Sequence, residues 1–188
     1  MNKLKQYLIE KLYSVEFANA ENHVFILYGL KVLIMYLLFF ISAIIIGLIT
    51  QRIGIIIIFL FTFMPLRSYA GGYHLPNRIG CFLATCTLLF IVALLSPLLA
   101  QADIRLQLVL LVLAGGVIYA TAPLGCRNRE LDEAETNTYR RIARVLTAIQ
   151  FVLVPVVWLT PFRLYAEALL FSLLSEATLL IIEYLHRK

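Results

Sequence analysis

Charge is scarce in this 188-residue chain: 14% of residues are Asp, Glu, Lys or Arg against 62% hydrophobic, and the mean hydropathy is +0.90. A soluble domain of this length cannot hide so much apolar surface, because a large share of any small fold faces solvent. Lipid can hide it, so the composition excludes a soluble globular protein and implies a polytopic membrane protein. Cysteine is also rare. The three, Cys81, Cys86 and Cys126, make no disulfide framework. With no CxxC and no HExxH pattern, a zinc ion has nothing obvious to bind, and neither a metal nor a cofactor is expected. Gly-rich phosphate loops, a GxSxG elbow, internal repeats and low-complexity tracts are missing too. The first 22 residues lack the apolar core and small-residue cleavage site of a signal peptide, and carry Lys3, Lys5, Glu10, Lys11, Glu16 and Glu21 instead.

What is present is a set of apolar runs. Leu4, Leu8, Leu12 and Val15 recur at helical spacing, so residues 1–23 read as an amphipathic helix on the membrane surface or docked on the bundle, with a solvated leader helix as the alternative. Beyond it, six spans are expected at about 30–50, 53–66, 79–100, 106–122, 145–160 and 164–184, each near the ~20 residues that cross a bilayer. The fold expected is an all-α helical bundle forming one integral membrane domain over residues 1–188. With the N-terminus in the cytoplasm, alternation through six spans leaves only Arg52, Arg105 and Arg163, of 16 lysines and arginines, on the outer side. That bias follows the positive-inside rule and puts both termini in the cytoplasm. The net charge of +5 is then a topology and lipid-headgroup signal rather than a nucleic-acid one.

The chemistry concentrates in the break between the second and third spans, which reads Arg67-Ser-Tyr-Ala-Gly-Gly-Tyr-His74-Leu-Pro-Asn-Arg78-Ile-Gly-Cys81. In an unbroken helix, residues seven apart share a face but lie about 10.5 Å apart along the axis. A nucleophile and its base must come within ~2.6–3.2 Å, so a His74–Cys81 dyad requires the chain to fold back. Pro76 and Asn77 disfavour continued helix, and Gly71 and Gly72 permit positive φ. Cys81 falls in the first turn of the third span, where the helix dipole and unpaired amides favour an anion and can hold an oxyanion. His74 is the base that takes the thiol proton and returns it to a leaving amine. Arg67 and Arg78 stand ready for a substrate carboxylate, Arg67 being the better fit to a bidentate grip. No Asp or Glu in the segment orients His74, so a dyad, or a third member from elsewhere, is expected. An isolated His and Cys at a helix end are more often packing residues; the glycines, proline and arginines weigh against that here.

Arg67, Gly72, His74 and Cys81, between the second and third of six spans, resemble the AgrB (accessory gene regulator protein B) family. The Ala122-Pro123 exit from the fourth span and Ser175-Glu176-Ala177-Thr178-Leu179-Leu180 in the last span look similar as well. The resemblance implies a cysteine endopeptidase of the bacterial cytoplasmic membrane in which Cys81 and His74 are catalytic. It would cut the C-terminal part from an AgrD-type precursor peptide and hold the remainder as a thioester until an internal nucleophile closes a thiolactone or lactone, making a quorum-sensing signal. It also implies a homodimer. One departure stands out: the second cytoplasmic loop, often lysine-rich in that family, has mixed charge here from Arg127 to Arg141.

Other residues have plainer expectations. Glu176 lies deep in the sixth span and is expected to pair with Lys31 or Arg67, or to sit protonated. Glu167 is close enough to the outer surface to be solvated. Gly115 and Gly116 are expected to permit close helix packing, and Cys86 to pack. Cys126 has no assigned role. The alternative reading is a small transporter or channel, which would distribute ionisable residues over several spans.

Overall fold

The computed structural model describes residues 22–73, 75, 77–124 and 132–187. The expected N-terminal amphipathic helix lies outside the described residues. Six α-helices follow in order: α1 (Asn22–Ile49), α2 (Ile53–Ala70), α3 (Arg78–Ala100), α4 (Ile104–Thr121), α5 (Glu133–Trp158) and α6 (Arg163–His186). All six are long and apolar enough to cross a membrane. Contacts divide the chain into Met1–Ser42, of which the described part is the first portion of α1, and Ala43–Lys188, which holds the end of α1 and all of α2 to α6.

Within the second unit, the burial pattern of each helix follows from its sequence period. Leu89, Val92, Ala93 and Ser96 make one inner stripe on α3, Gln107, Leu111, Ala114, Gly115 and Ile118 another on α4, and Ala143, Thr147, Gln150 and Val154 a third on α5. Steps of three and four residues keep such positions on one face. The opposite faces stay apolar and exposed, as at Phe61, Leu83, Leu98, Leu113, Val152 and Val156. Apolar outer surface of this kind is what lipid solvates. α6 is the central element. It packs against α2, α3, α4 and α5 and buries side chains around most of its circumference.

The starts of α3, α4 and α5 carry side-chain caps. Asn77 Oδ1 accepts from Ile79 N at 3.1 Å, Asp103 Oδ1 from Arg105 N at 2.8 Å, and Asp132 Oδ1 from Glu133 N at 2.6 Å. The last of these begins a helix that starts well before the fifth span expected at about 145–160. The charged stretch before residue 145 does not stay a loop, because Asp132 caps a helix whose first turn carries Glu133 and Glu135. At 26 residues α5 is about 39 Å long, so its charged beginning stands beyond a ~30 Å hydrocarbon core. α2 likewise runs past Leu66 to Ala70, which brings its 18 residues to about 27 Å and makes Arg67 part of the last turn.

Two expectations about small residues divide. At Gly115 an added Cβ would lie 3.1 Å from Phe151 Cδ2 on α5, so glycine does serve a close helix approach there. At Gly116 nothing lies within 4 Å.

Candidate active site

The chain leaves the helix between α2 and α3. Gly71, Gly72, Tyr73, Leu75 and Asn77 are all non-helical, and Gly71 and Gly72 take φ values of 78° and 107°. Side chains rarely adopt such angles, and space forbids them here as well. A Cβ on Gly71 would run into the Leu124 carbonyl, and one on Gly72 into Arg67 Nη1.

Three contacts fix this turn from different sides. From the α4–α5 connection, Leu124 pairs with Gly71 as a short parallel bridge: Leu124 N donates to Ala70 O at 3.0 Å, and Gly72 N donates to Leu124 O at 3.3 Å. From α6, Leu179 O accepts from Tyr73 N at 3.2 Å. The Tyr73 ring also stacks on His186, with centroids 5.0 Å apart and planes 18° off parallel. From α2 itself, Arg67 reaches forward over the end of its own helix. Its Nη1 donates to Gly71 O and its Nη2 to Tyr73 O.

Behind that guanidinium lies Glu176. Arg67 Nη1 and Glu176 Oε1 are 3.7 Å apart, with the side chains 15% and 0% exposed. Arg67 is one of the two partners expected for Glu176; the side chain of the other, Lys31, lies outside the described residues. The carboxylate makes no hydrogen bond of its own among the described residues. An ion at full burial is costly without an opposite charge, and the guanidinium supplies it. With Arg67 engaged by Gly71 and Tyr73, a grip on a substrate carboxylate would need this clasp to open.

Cys81 is half-buried, a free thiol in the first turn of α3. Its own amide donates to Asn77 O at 3.0 Å, and Ile79 N is held by the Asn77 side chain. Those two first-turn amides are thus committed to the cap, and an oxyanion must look to other donors. Arg78 begins α3. His74 and Pro76 lie outside the described residues, as do Cys126, Arg127 and Arg129 of the α4–α5 connection. Cys86 is free and half-buried on α3. Among the described residues no group of three His, Cys, Asp or Glu could hold a metal.

Sequence reasoning missed the backbone anchors. Leu124 and Leu179 act through main-chain atoms, which leave no signature in residue type. His186 was within reach of a pattern search only as an imidazole at a helix end. Glu167 requires a correction: it is fully buried rather than solvated, and Trp158 Nε1 donates to its Oε1 at 3.1 Å. The indole folds back across the α5–α6 turn and shields the carboxylate that an outer-edge position would otherwise wet.

No curated relative and no solved structure matches the chain. Over residues 1–182, nearly its whole length, the sequence matches the model of the accessory gene regulator B (AgrB) family, and the chain belongs to that family.

Proposed function

We propose that the protein is a membrane-embedded cysteine endopeptidase that removes the C-terminal part of an AgrD-type precursor and retains the remainder as a thioester on Cys81. Membership of the AgrB family carries the coarser part of this reading, a role in AgrD processing for quorum sensing. The observation that supports the finer part is the break in helix between Ala70 and Arg78, which leaves a half-buried free thiol in the first turn of α3.

The steps follow ordinary acyl transfer. His74 takes the Cys81 proton, and the thiolate attacks the scissile carbonyl to form a tetrahedral intermediate. As the carbon–nitrogen bond breaks, the imidazolium returns the proton to the leaving amine, and the C-terminal fragment departs. An internal thiol or hydroxyl of the precursor then attacks the thioester carbonyl, the ring closes, and Cys81 regains a proton. Hydrolysis must be slower than this exchange, and a site at the membrane boundary restricts water. Arg67 serves by holding Gly71 and Tyr73, so its part is to set the path of the chain into His74. The positive-inside bias puts the segment and both termini on the cytoplasmic side, where an amphipathic precursor can arrive along the headgroup region. The homodimer implied by the family completes the reading.

The test is co-expression with a candidate precursor, scoring cleavage by wild type, Cys81→Ser and His74→Ala. Processing is expected to vanish in the first variant and to fall about 100-fold or more in the second. Undiminished cleavage in both would reject the enzyme.

A further inference from the structure

Glu176 is a fully buried carboxylate on α6 that faces Arg67, the arginine in the last turn of α2. Its only charged neighbour among the described residues is Arg67 Nη1, at 3.7 Å, and the same nitrogen donates to Gly71 O while Nη2 donates to Tyr73 O. We propose that Glu176 is a positioning residue for the reactive segment, acting through Arg67 to hold Gly71–Tyr73 on the face of α6.

The physical reason is a competition for the guanidinium. Arginine beside a membrane boundary can extend its head toward water or lipid phosphate while its stem remains buried. Two backbone carbonyls offer it neutral acceptors, which compete poorly with those charged or mobile partners. A fully buried carboxylate changes the balance, because withdrawing the guanidinium would strand a negative charge in the protein interior. Glu176 therefore keeps Arg67 folded over the end of α2, and Arg67 in turn keeps two carbonyls of the segment pointing inward.

A second contact from the same face of α6 has the same target. Leu179, one helical turn beyond Glu176, accepts from Tyr73 N at 3.2 Å. Tyr73 is thus held at its amide by α6 directly and at its carbonyl by α6 through Arg67. The next residue along the chain is His74. Gly72 fits between these grips only because it lacks a Cβ, which would meet both Arg67 Nη1 and the Leu179 carbonyl carbon, the latter at 3.3 Å. A merely structural ion pair would stiffen the bundle as a whole, whereas this one bears on the three residues that lead into the proposed base.

The inference deepens the peptidase reading and rests on it for its kinetic consequence only. The experiment uses the full chain in proteoliposomes with a synthetic precursor peptide, comparing wild type, Glu176→Gln, Glu176→Asp, Arg67→Gln and the double Arg67→Gln/Glu176→Gln. Hydrogen exchange at the Tyr73 amide is followed alongside cleavage. Glu176→Gln is expected to lower kcat about tenfold or more, since small misplacements of a catalytic group are costly, with KM moved by less than about threefold. Glu176→Asp should recover part of the rate. The double variant should be no slower than Arg67→Gln alone, because both act through one clasp. Exchange at Tyr73 should quicken in Glu176→Gln while amides in the middle of α3 and α4 keep their protection.

Wild-type kcat in Glu176→Gln, additive losses in the double variant, or exchange that rises equally throughout the bundle would each overturn the proposal. If wild type cleaves no precursor, the peptidase reading fails, and Tyr73 exchange in the variants still decides whether Glu176 holds the segment. Should Glu176→Gln not fold, Glu176→Asp and Arg67→Gln carry the same two measurements, and unchanged Tyr73 exchange in both would sink the idea.

Discussion

Gly71 and Gly72 are where the turn before His74 is most tightly specified. Each has positive φ, and at each an added methyl group collides with something that cannot yield cheaply, a backbone carbonyl at Gly71 and the engaged guanidinium at Gly72. Gly72→Ala is therefore expected to lower stability by about 1–3 kcal/mol and to reduce precursor cleavage per folded molecule about tenfold or more. Thermal unfolding in detergent and initial rates on the purified chain measure the two effects separately. Gly116→Ala is the matched comparison. It sits in a helix with no atom within 4 Å of the new methyl group, so it should be neutral or stabilising by up to about 1 kcal/mol and leave cleavage unchanged. The need for glycine at 71 and 72 was legible in the sequence, because two adjacent glycines before a His and a Pro have few other uses. Which neighbours enforce it was not, since Leu124 contributes only its main chain.

Among the helices, α6 concentrates the polar burial. It carries Glu167, Ser172, Glu176 and Glu183 at 0–8% exposure, and the carboxylates are secured by different means at its two ends. Glu183 pairs with Arg187 at 2.9 Å, Glu176 faces Arg67, and Glu167 takes a hydrogen bond from Trp158. A transport pathway would spread ionisable groups over several spans, whereas these lie on one helix packed on its neighbours. Trp158→Phe removes the donor to Glu167, and a loss of about 1–3 kcal/mol in unfolding free energy is expected, read by denaturation in detergent. Cleavage per folded molecule should not change, because Glu167 lies near the α5–α6 turn and the reactive segment at the opposite end of α6. This far-end carboxylate escaped sequence reasoning because its shield, Trp158, belongs to another helix. The start of α5 escaped it for a different reason: high charge density hid a capped helix start, Asp132 followed by Glu133 and Glu135, which complements the helix dipole. By contrast, the start of α3 at Arg78 follows punctuation visible in the sequence, Pro76 and the capping Asn77.

For the molecule as a membrane protein, six helices of spanning length make the topology a matter of which side each turn faces. The proposed orientation, argued from the charge bias, has the α3–α4 turn outside and the start of α5 in the cytoplasm. On a background with Cys81, Cys86 and Cys126 replaced, Gln101→Cys should react with a membrane-impermeant thiol reagent in intact cells, and Asn137→Cys only after permeabilisation. The reverse pattern would invert the orientation. The end of the bundle that carries the reactive segment is also tied to the charged part of α5, through Tyr69 and Tyr139 with ring centroids 5.4 Å apart. Leu124, after the end of α4, and Tyr139, in the second turn of α5, thus both lie against the end of α2 and the turn that follows it.

The most direct measurement is the intact mass of the purified protein, trapped at acidic pH during a single turnover with a synthetic precursor. A thiol held at the start of α3 as an acyl-transfer nucleophile predicts a mass increase equal to the truncated peptide, localised to Cys81, sensitive to hydroxylamine and missing in Cys81→Ser. Cleavage of the precursor with no such adduct, or an adduct that survives in Cys81→Ser, would contradict it.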